Sequence, residues 1–195
     1  LVIGAIILWE RRRNPMPTDW QRNLQAWGLD VGASLLIAPL FHDYVGKSLI
    51  DGTSLPFLIA FPLFFVIRDA TEFFWHFCQH KIGFLWRMHS LHHSDPEMSV
   101  LTANRHFWGE QVFSALTIWP LTTMIISQSK PMLAAFAVCS LYNYFIHSNL
   151  KFDFGRWSWL LTSPAYHRRH HSRLREHYDS NFAVMLPIFD VLCGT

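Results

Sequence analysis

The segment LPFLIAFPLFFVIRDATEFFWHFCQH, residues 55–80, decides the fold. Leu55 to Ile67 is an apolar run, and it leads through Asp69 into His76-Phe-Cys-Gln-His80. Residues four apart lie on one helix face, so this box aims two imidazoles the same way. Two further boxes repeat the device: His89-Ser-Leu-His92-His93 and His167-Arg-Arg-His170-His171. Each places rings at i, i+3 and i+4, again on nearly one face. Imidazole is the commonest neutral metal ligand near pH 7. Eight such nitrogens are too many for one ion of four to six ligands and suit two. Long apolar segments separate the boxes, which sets them apart from a flexible His-rich buffering tract.

The 195 residues are 51% hydrophobic and only 15% charged, against roughly 25% charged in soluble domains. This length fits one domain, 1–195, and the apolar surplus points to an integral membrane protein. A net charge of +2 gives no reason to invoke nucleic acid. Cys78, Cys139 and Cys193 form no C-x-x-C pair and are odd in number, so neither a disulfide framework nor thiolate ligation is indicated. Cys78 reads as a small apolar filler. Leu1 to Trp9 is an apolar run closed by Arg11-Arg12-Arg13. In a signal peptide the charges precede the apolar core. Here they follow it, so the run reads as the end of a membrane helix whose beginning is cut off.

Four further apolar runs follow, at 27–44, 55–67, 112–126 and 132–146. Polar turns at Gly46–Ser54 and Ser127–Pro131 separate the members of each pair. The pattern predicts an all-α fold of two transmembrane hairpins. Several runs fall short of the roughly 20 residues of a full crossing, so re-entrant hairpins are the variant. With Arg11 to Arg13 in the cytoplasm, as the positive-inside tendency favours, both hairpins return to that side. His76, His147 and the third box then meet on one cytoplasmic face, in a histidine-rich helical cap over a dinuclear site. Trp75, Trp86, Trp108, Trp119, Trp157 and Trp159 read as an interface belt or as a tunnel lining. Arg168 and Arg169 read either as headgroup or partner contacts or as a solvated turn.

At this point the residues resemble the fatty acid hydroxylase and sterol desaturase superfamily. The three boxes match its histidine series. Asp69 with Phe74-Trp75 precedes the first box as the family's acidic and aromatic residues do. Leu85 to Ser94, Thr102-Ala-Asn-Arg105, Thr162 to Ser172, Tyr178-Asp179-Ser-Asn181-Phe182 and Phe189 to Thr195 resemble its further motifs. The resemblance covers about residues 60–195. Three departures stand out. Phe77 replaces the Arg usual after the first His. Phe107 stands where the family often has His, with His106 shifted by one. Lys151 stands where 2-hydroxylases complete an extra H-x-x-x-H from His147, which argues against the ceramide-type branch.

The resemblance implies a membrane-bound, non-haem di-iron oxidoreductase that uses O2 to hydroxylate or desaturate a sterol, fatty acyl or related lipid. It implies as ligands His76, His80, His89, His92, His93, His167, His170 and His171, with His147 as a ninth. Asp69, Glu72, Asp179 and Asn181 are candidates to accept the ligands' second N–H. Glu72 reads equally as a helix-surface charge. No flavin, nicotinamide, haem or iron–sulfur motif is present, so electrons are expected from a separate electron-transfer protein. Two other readings compete: a di-zinc membrane hydrolase, since His-only sites suit Zn(II), and a metal carrier without redox chemistry. The hydrolase lacks an evident catalytic carboxylate among the boxes. A carrier is disfavoured because the boxes lie at the ends of the apolar runs, whereas carriers place polar ligands inside their spans.

Overall fold

A computed structural model describes residues 2–13, 19–41, 48–127 and 130–195. The apolar runs become helices: α1 (Val2–Arg13), α2 (Trp20–Phe41), α3 (Phe57–Lys81), α5 (Trp108–Ile125) and α6 (Lys130–His147). Three short helices follow: α4 (Gly83–His89), which ends on the first histidine of the second box, α7 (Pro164–His170), which carries the third box up to His170, and α8 (Ile188–Cys193) near the C-terminus. The end of the 27–44 run and the centre of the 127–131 turn lie outside the described residues. Among the described residues there is no strand, only an isolated bridge between Ile50 and Ile126.

Helix α3 is the spine. Ala60, Phe64, Thr71, Trp75 and Gln79 are buried along it at multiples of about one turn, the spacing of an inward stripe. It starts after Pro56, which fixes its own φ at −57°. It stops where Ile82 turns extended, at φ −101° and ψ 110°. Phe64 packs with Ile126, Met132 and Ala135 near one end, while Trp75 packs with Leu85, Met88 and Ile118 near the other. Complete burial of a side chain such as Phe64 contributes about 1.5–3 kcal/mol.

The helix pairing differs from two separate hairpins. Helix α3 packs against α6, α5 and α4, and α2 packs against α5. The two turns are laced together instead of standing apart. Leu49 N donates to Met124 O (2.9 Å), Ile50 N to Ile125 O (2.8 Å) and Ser127 N to Ile50 O (3.0 Å). Gly52 allows this approach, since a Cβ there would sit 2.7 Å from the Ser127 carbonyl oxygen.

The expected membrane crossings also need correction. No helix, among the described residues, is long and apolar enough to cross a membrane. In α3 the reason is visible: Arg68, Asp69 and Glu72 interrupt its apolar character just past Ile67.

Candidate metal centre

Helices α3, α4, α6 and α7, with the 3-10 turn His92–Ser94 after α4 and His171 just past α7, bring nine histidines to one place, and the boxes mix. One group takes His76 and His80 from the first box, His89 and His93 from the second and His170 from the third. The other takes His92 from the second box, His167 and His171 from the third, and His147 from the end of α6. Within each group the ligand atoms lie within 4.8 Å of one another. The spacing explains the split. His89 and His93 are one turn apart and serve one group, whereas His92 points to the other. His167 and His171 repeat this against His170.

Several rings are aimed by their outer nitrogen. His76 Nδ1 donates to Phe182 O (2.8 Å), His170 Nδ1 to Ser180 O (2.8 Å) and His89 Nδ1 to Glu110 Oε1 (2.9 Å). The opposite nitrogens, Nε2 of all three, are buried without a hydrogen-bond partner. In the second group His147 Nδ1 donates to Asn143 O (2.8 Å). Its Nε2 then lies 3.1 Å from His92 Nε2 and 3.0 Å from His167 Nε2. His80 and His93 bring their Nε2 atoms to 3.2 Å. Two nitrogens each bound at about 2.0–2.1 Å to one ion lie about 3.0–3.4 Å apart, so the donor set fits a pair of metal ions.

Protonation agrees with this fit. Burial pushes all nine imidazoles below the ordinary histidine value, helped by the neighbouring histidines. His80 and His147 fall to about 3. Neutral rings offer lone pairs, which is the form that binds metal. Burial pushes Glu110 up, but His106 and His89 outweigh it and hold the carboxyl below its ordinary range.

The residues expected around the ligands are placed as follows. Asp69 reaches no imidazole: its carboxylate accepts from Met185 N (3.1 Å) and Leu186 N (2.8 Å). Burial raises its pKa to about 7, offset in part by those two donors. Glu72 pairs with Arg68 one turn away on α3. Asp179 binds Lys81 Nζ at 2.7 Å and lies 3.6 Å from His80 Nδ1, too far for a hydrogen bond. Asn181 contributes through its backbone: with φ 59° it stands between the two carbonyls that hold His170 and His76. His106 stays outside the groups of five and four and falls in a smaller one with His89 and Glu110; it is stacked on His92 at 4.6 Å and bonded to Glu110 and Ala103 O. Thr102 and Arg105 serve as a clamp. Thr102 donates to Asp95, and Arg105 reaches Asn23, Asp19, Leu91 O and Ser94.

The residue that sequence reasoning missed is Glu110. Its Oε1 receives Gln79, His89 and His106, and its Oε2 is buried and unpartnered. A signal existed, since Glu110 follows His106 by four residues at the start of an apolar helix. A cavity of about 250 Å³ reaches the cluster from between α3, α5 and α6. His76, His89, His92, His147 and His167 line its inner end. Trp75 and Trp119 line it too, while Trp108, Trp157 and Trp159 are exposed. Trp86 lies against His80, at 4.8 Å.

Residues 61–195 match the fatty acid hydroxylase family, and the chain belongs to it. It is 32% identical over 133 residues to alkylglycerol monooxygenase of Xenopus tropicalis, covering 68% of this chain and 29% of that protein. The human alkylglycerol monooxygenase is 30% identical over 131 residues, covering 65% of this chain and 28% of its own length. Ornithine lipid hydroxylase OlsE of Rhizobium tropici is 27% identical over 131 residues, covering 67% and 39%. The chain therefore spans less than two fifths of the length of each of these relatives. No solved structure matches.

Proposed function

We propose that this chain is a non-haem di-iron oxidoreductase that hydroxylates a lipid at a membrane. O2 is the co-substrate, and electrons come from a separate electron-transfer protein. The carrying observation is the pair of histidine groups, each drawing on several boxes, with inner nitrogens converging and the outer nitrogens of His76, His89, His147 and His170 held. His76, His80, His89, His93 and His170 would hold one ion, and His92, His147, His167 and His171 the other. Two redox-active ions supply the activation of dioxygen that an unactivated C–H bond requires. The chain supplies the rest. Glu110 and the carbonyls of Asn143, Ser180 and Phe182 fix the rings, and Trp75, Ile118 and Phe136 give the cavity its dry wall. Support for hydroxylation over hydrolysis or metal carriage comes from the names of the relatives, a monooxygenase and a lipid hydroxylase.

Membrane placement has physical support in exposed apolar side chains far from the histidines. Leu49 is 84% exposed, Leu58 85% and Met124 61%. Arg168 and Arg169 within the third box, and Arg173 and Arg175 just after it, favour a cytoplasmic histidine end. Mass spectrometry of lipids from cells expressing the chain, or its His93→Ala variant, tests the reading. A lipid gaining one oxygen only with the intact chain is expected. Loss of two hydrogens would make it a desaturase, and new cleavage products would favour the hydrolase.

A further inference from the structure

Helix α1 docks through a residue that belongs on a surface. Among its described side chains Glu10 alone is buried, at 7% exposure, whereas its neighbours Leu8 and Trp9 are exposed. Toward α6 an apolar groove stays open between the two helices, lined by Ile6, Trp9, Leu141 and Phe145. A carboxylate, not close apolar packing, therefore makes the contact on this side. Glutamate is almost never buried unless it is paired, because its oxygens lose their water. Here both oxygens are satisfied. Glu10 Oε2 accepts from Val100 N (3.1 Å) and Oε1 from Asn149 N (2.6 Å).

The two N–H groups belong to different segments, and each segment leads to a metal-binding histidine. Val100 opens the 3-10 turn Val100–Asn104, where the first N–H has no partner within the helix. This turn continues the chain from His92 and packs on α6. Asn149 stands two residues past His147, the last residue of α6. Arg168, next to His167, holds the same stretch from the other side, with Nη2 donating to Ser148 O (3.2 Å). His92, His147 and His167 all belong to the second histidine group, and His147 Nε2 lies 3.1 Å from one partner and 3.0 Å from the other. In the first group the ring supports are Phe182 O, Ser180 O and Glu110, and none of them is on α1.

We propose that Glu10 is a positioning residue for the second metal ion. It ties the chain leaving α6 to the turn that follows the second box, and so holds His147 at the separation from His92 that one ion requires. Ligand sets of this kind must be held to within about 0.5 Å. The brace comes from outside residues 61–195, the part that carries the family match. The proposal rests on the two-ion reading above and not on the reaction those ions perform.

The test is titration of the metal-free full chain in detergent with Co(II), followed by visible absorption and equilibrium dialysis. The unaltered chain should take up two Co(II). Glu10→Ala should bind one as tightly as before and the other about 10–100-fold more weakly, the range for residues that orient ligands. Glu10→Gln keeps one carbonyl oxygen and should fall between the two. A double variant identifies the ion affected. His171→Ala removes a ligand of the second group, so adding Glu10→Ala to it should leave the remaining Co(II) bound as in His171→Ala alone. Phe64→Leu, in the core of α3 away from the histidines, controls for general loss of stability and should leave both affinities unchanged. Two undiminished sites in Glu10→Ala, equal weakening of both sites, or the same selective loss in Phe64→Leu would overturn the proposal. If Glu10→Ala fails to fold, Glu10→Gln decides by the same criteria. Fewer than two Co(II) in the unaltered chain would overturn the two-ion reading and the brace with it, whereas two equally tight ions in both the unaltered chain and Glu10→Ala would overturn the brace alone.

Discussion

At Asn181 the backbone adopts φ 59°, and the carbonyls on either side, Ser180 O and Phe182 O, receive the outer nitrogens of His170 and His76. The motif Tyr178-Asp179-Ser-Asn181-Phe182 was legible as important, but its mechanism was not. A sequence names side chains, and here the main chain does the holding, through a left-handed residue that Asn tolerates and most residues do not. Asn181→Gly should therefore keep metal content near that of the unaltered chain, whereas Asn181→Val should lower metal affinity. The opposite order in metal analysis would return the role to the side chain. Glu110 acts through its carboxylate, so Glu110→Ala should lower metal affinity or activity by about 10–100-fold, the range for residues that orient ligands. His106→Ala should matter less than His93→Ala, because His106 spends both ring nitrogens on Glu110 and Ala103 O.

Helices were the most legible elements, because apolar runs of this length at helical spacing leave few alternatives. The run 55–67 and its first box became the continuous α3, and His147 fell at the last residue of α6. Their pairing was not legible. Periodicity tells which face of a helix is apolar, not which neighbour it meets, so the packing of α3 on α6 and the lacing of turn 48–54 to 124–127 came only with the structure. Nor does spacing name the partners that complete each histidine group, such as His147 beside His92. The lacing yields a stability prediction. Gly52→Ala drives a methyl to 2.7 Å from a backbone oxygen that cannot rotate away. The expected cost is about 1–3 kcal/mol, as for other overpacked sites. A thermal midpoint equal to that of the unaltered chain would show that the two turns separate without loss.

The whole molecule concentrates nine neutral imidazoles in one buried cluster, and this makes its metal-free form sensitive to acid. Histidine in an unfolded chain titrates near its ordinary value of 6.5, while His80 and His147 in the fold titrate near 3. As pH falls the unfolded chain takes up protons first. Their contribution to stability is therefore complete above about 6.5 and is lost as the pH falls from 6.5 toward 3. The thermal midpoint of the chelator-treated chain should drop between pH 7 and pH 5 and change little between pH 7 and pH 8. A flat profile from pH 7 to pH 5 would mean that the cluster opens to solvent without metal. The central claim, two ions held by mixed histidine boxes, is tested most directly by the metal content of the chain purified anaerobically. Zinc in place of iron is compatible with the claim, because Zn(II) outcompetes Fe(II) at such ligands. The account predicts two ions per chain, falling to about one in His171→Ala. One ion or none in the unaltered chain would contradict it.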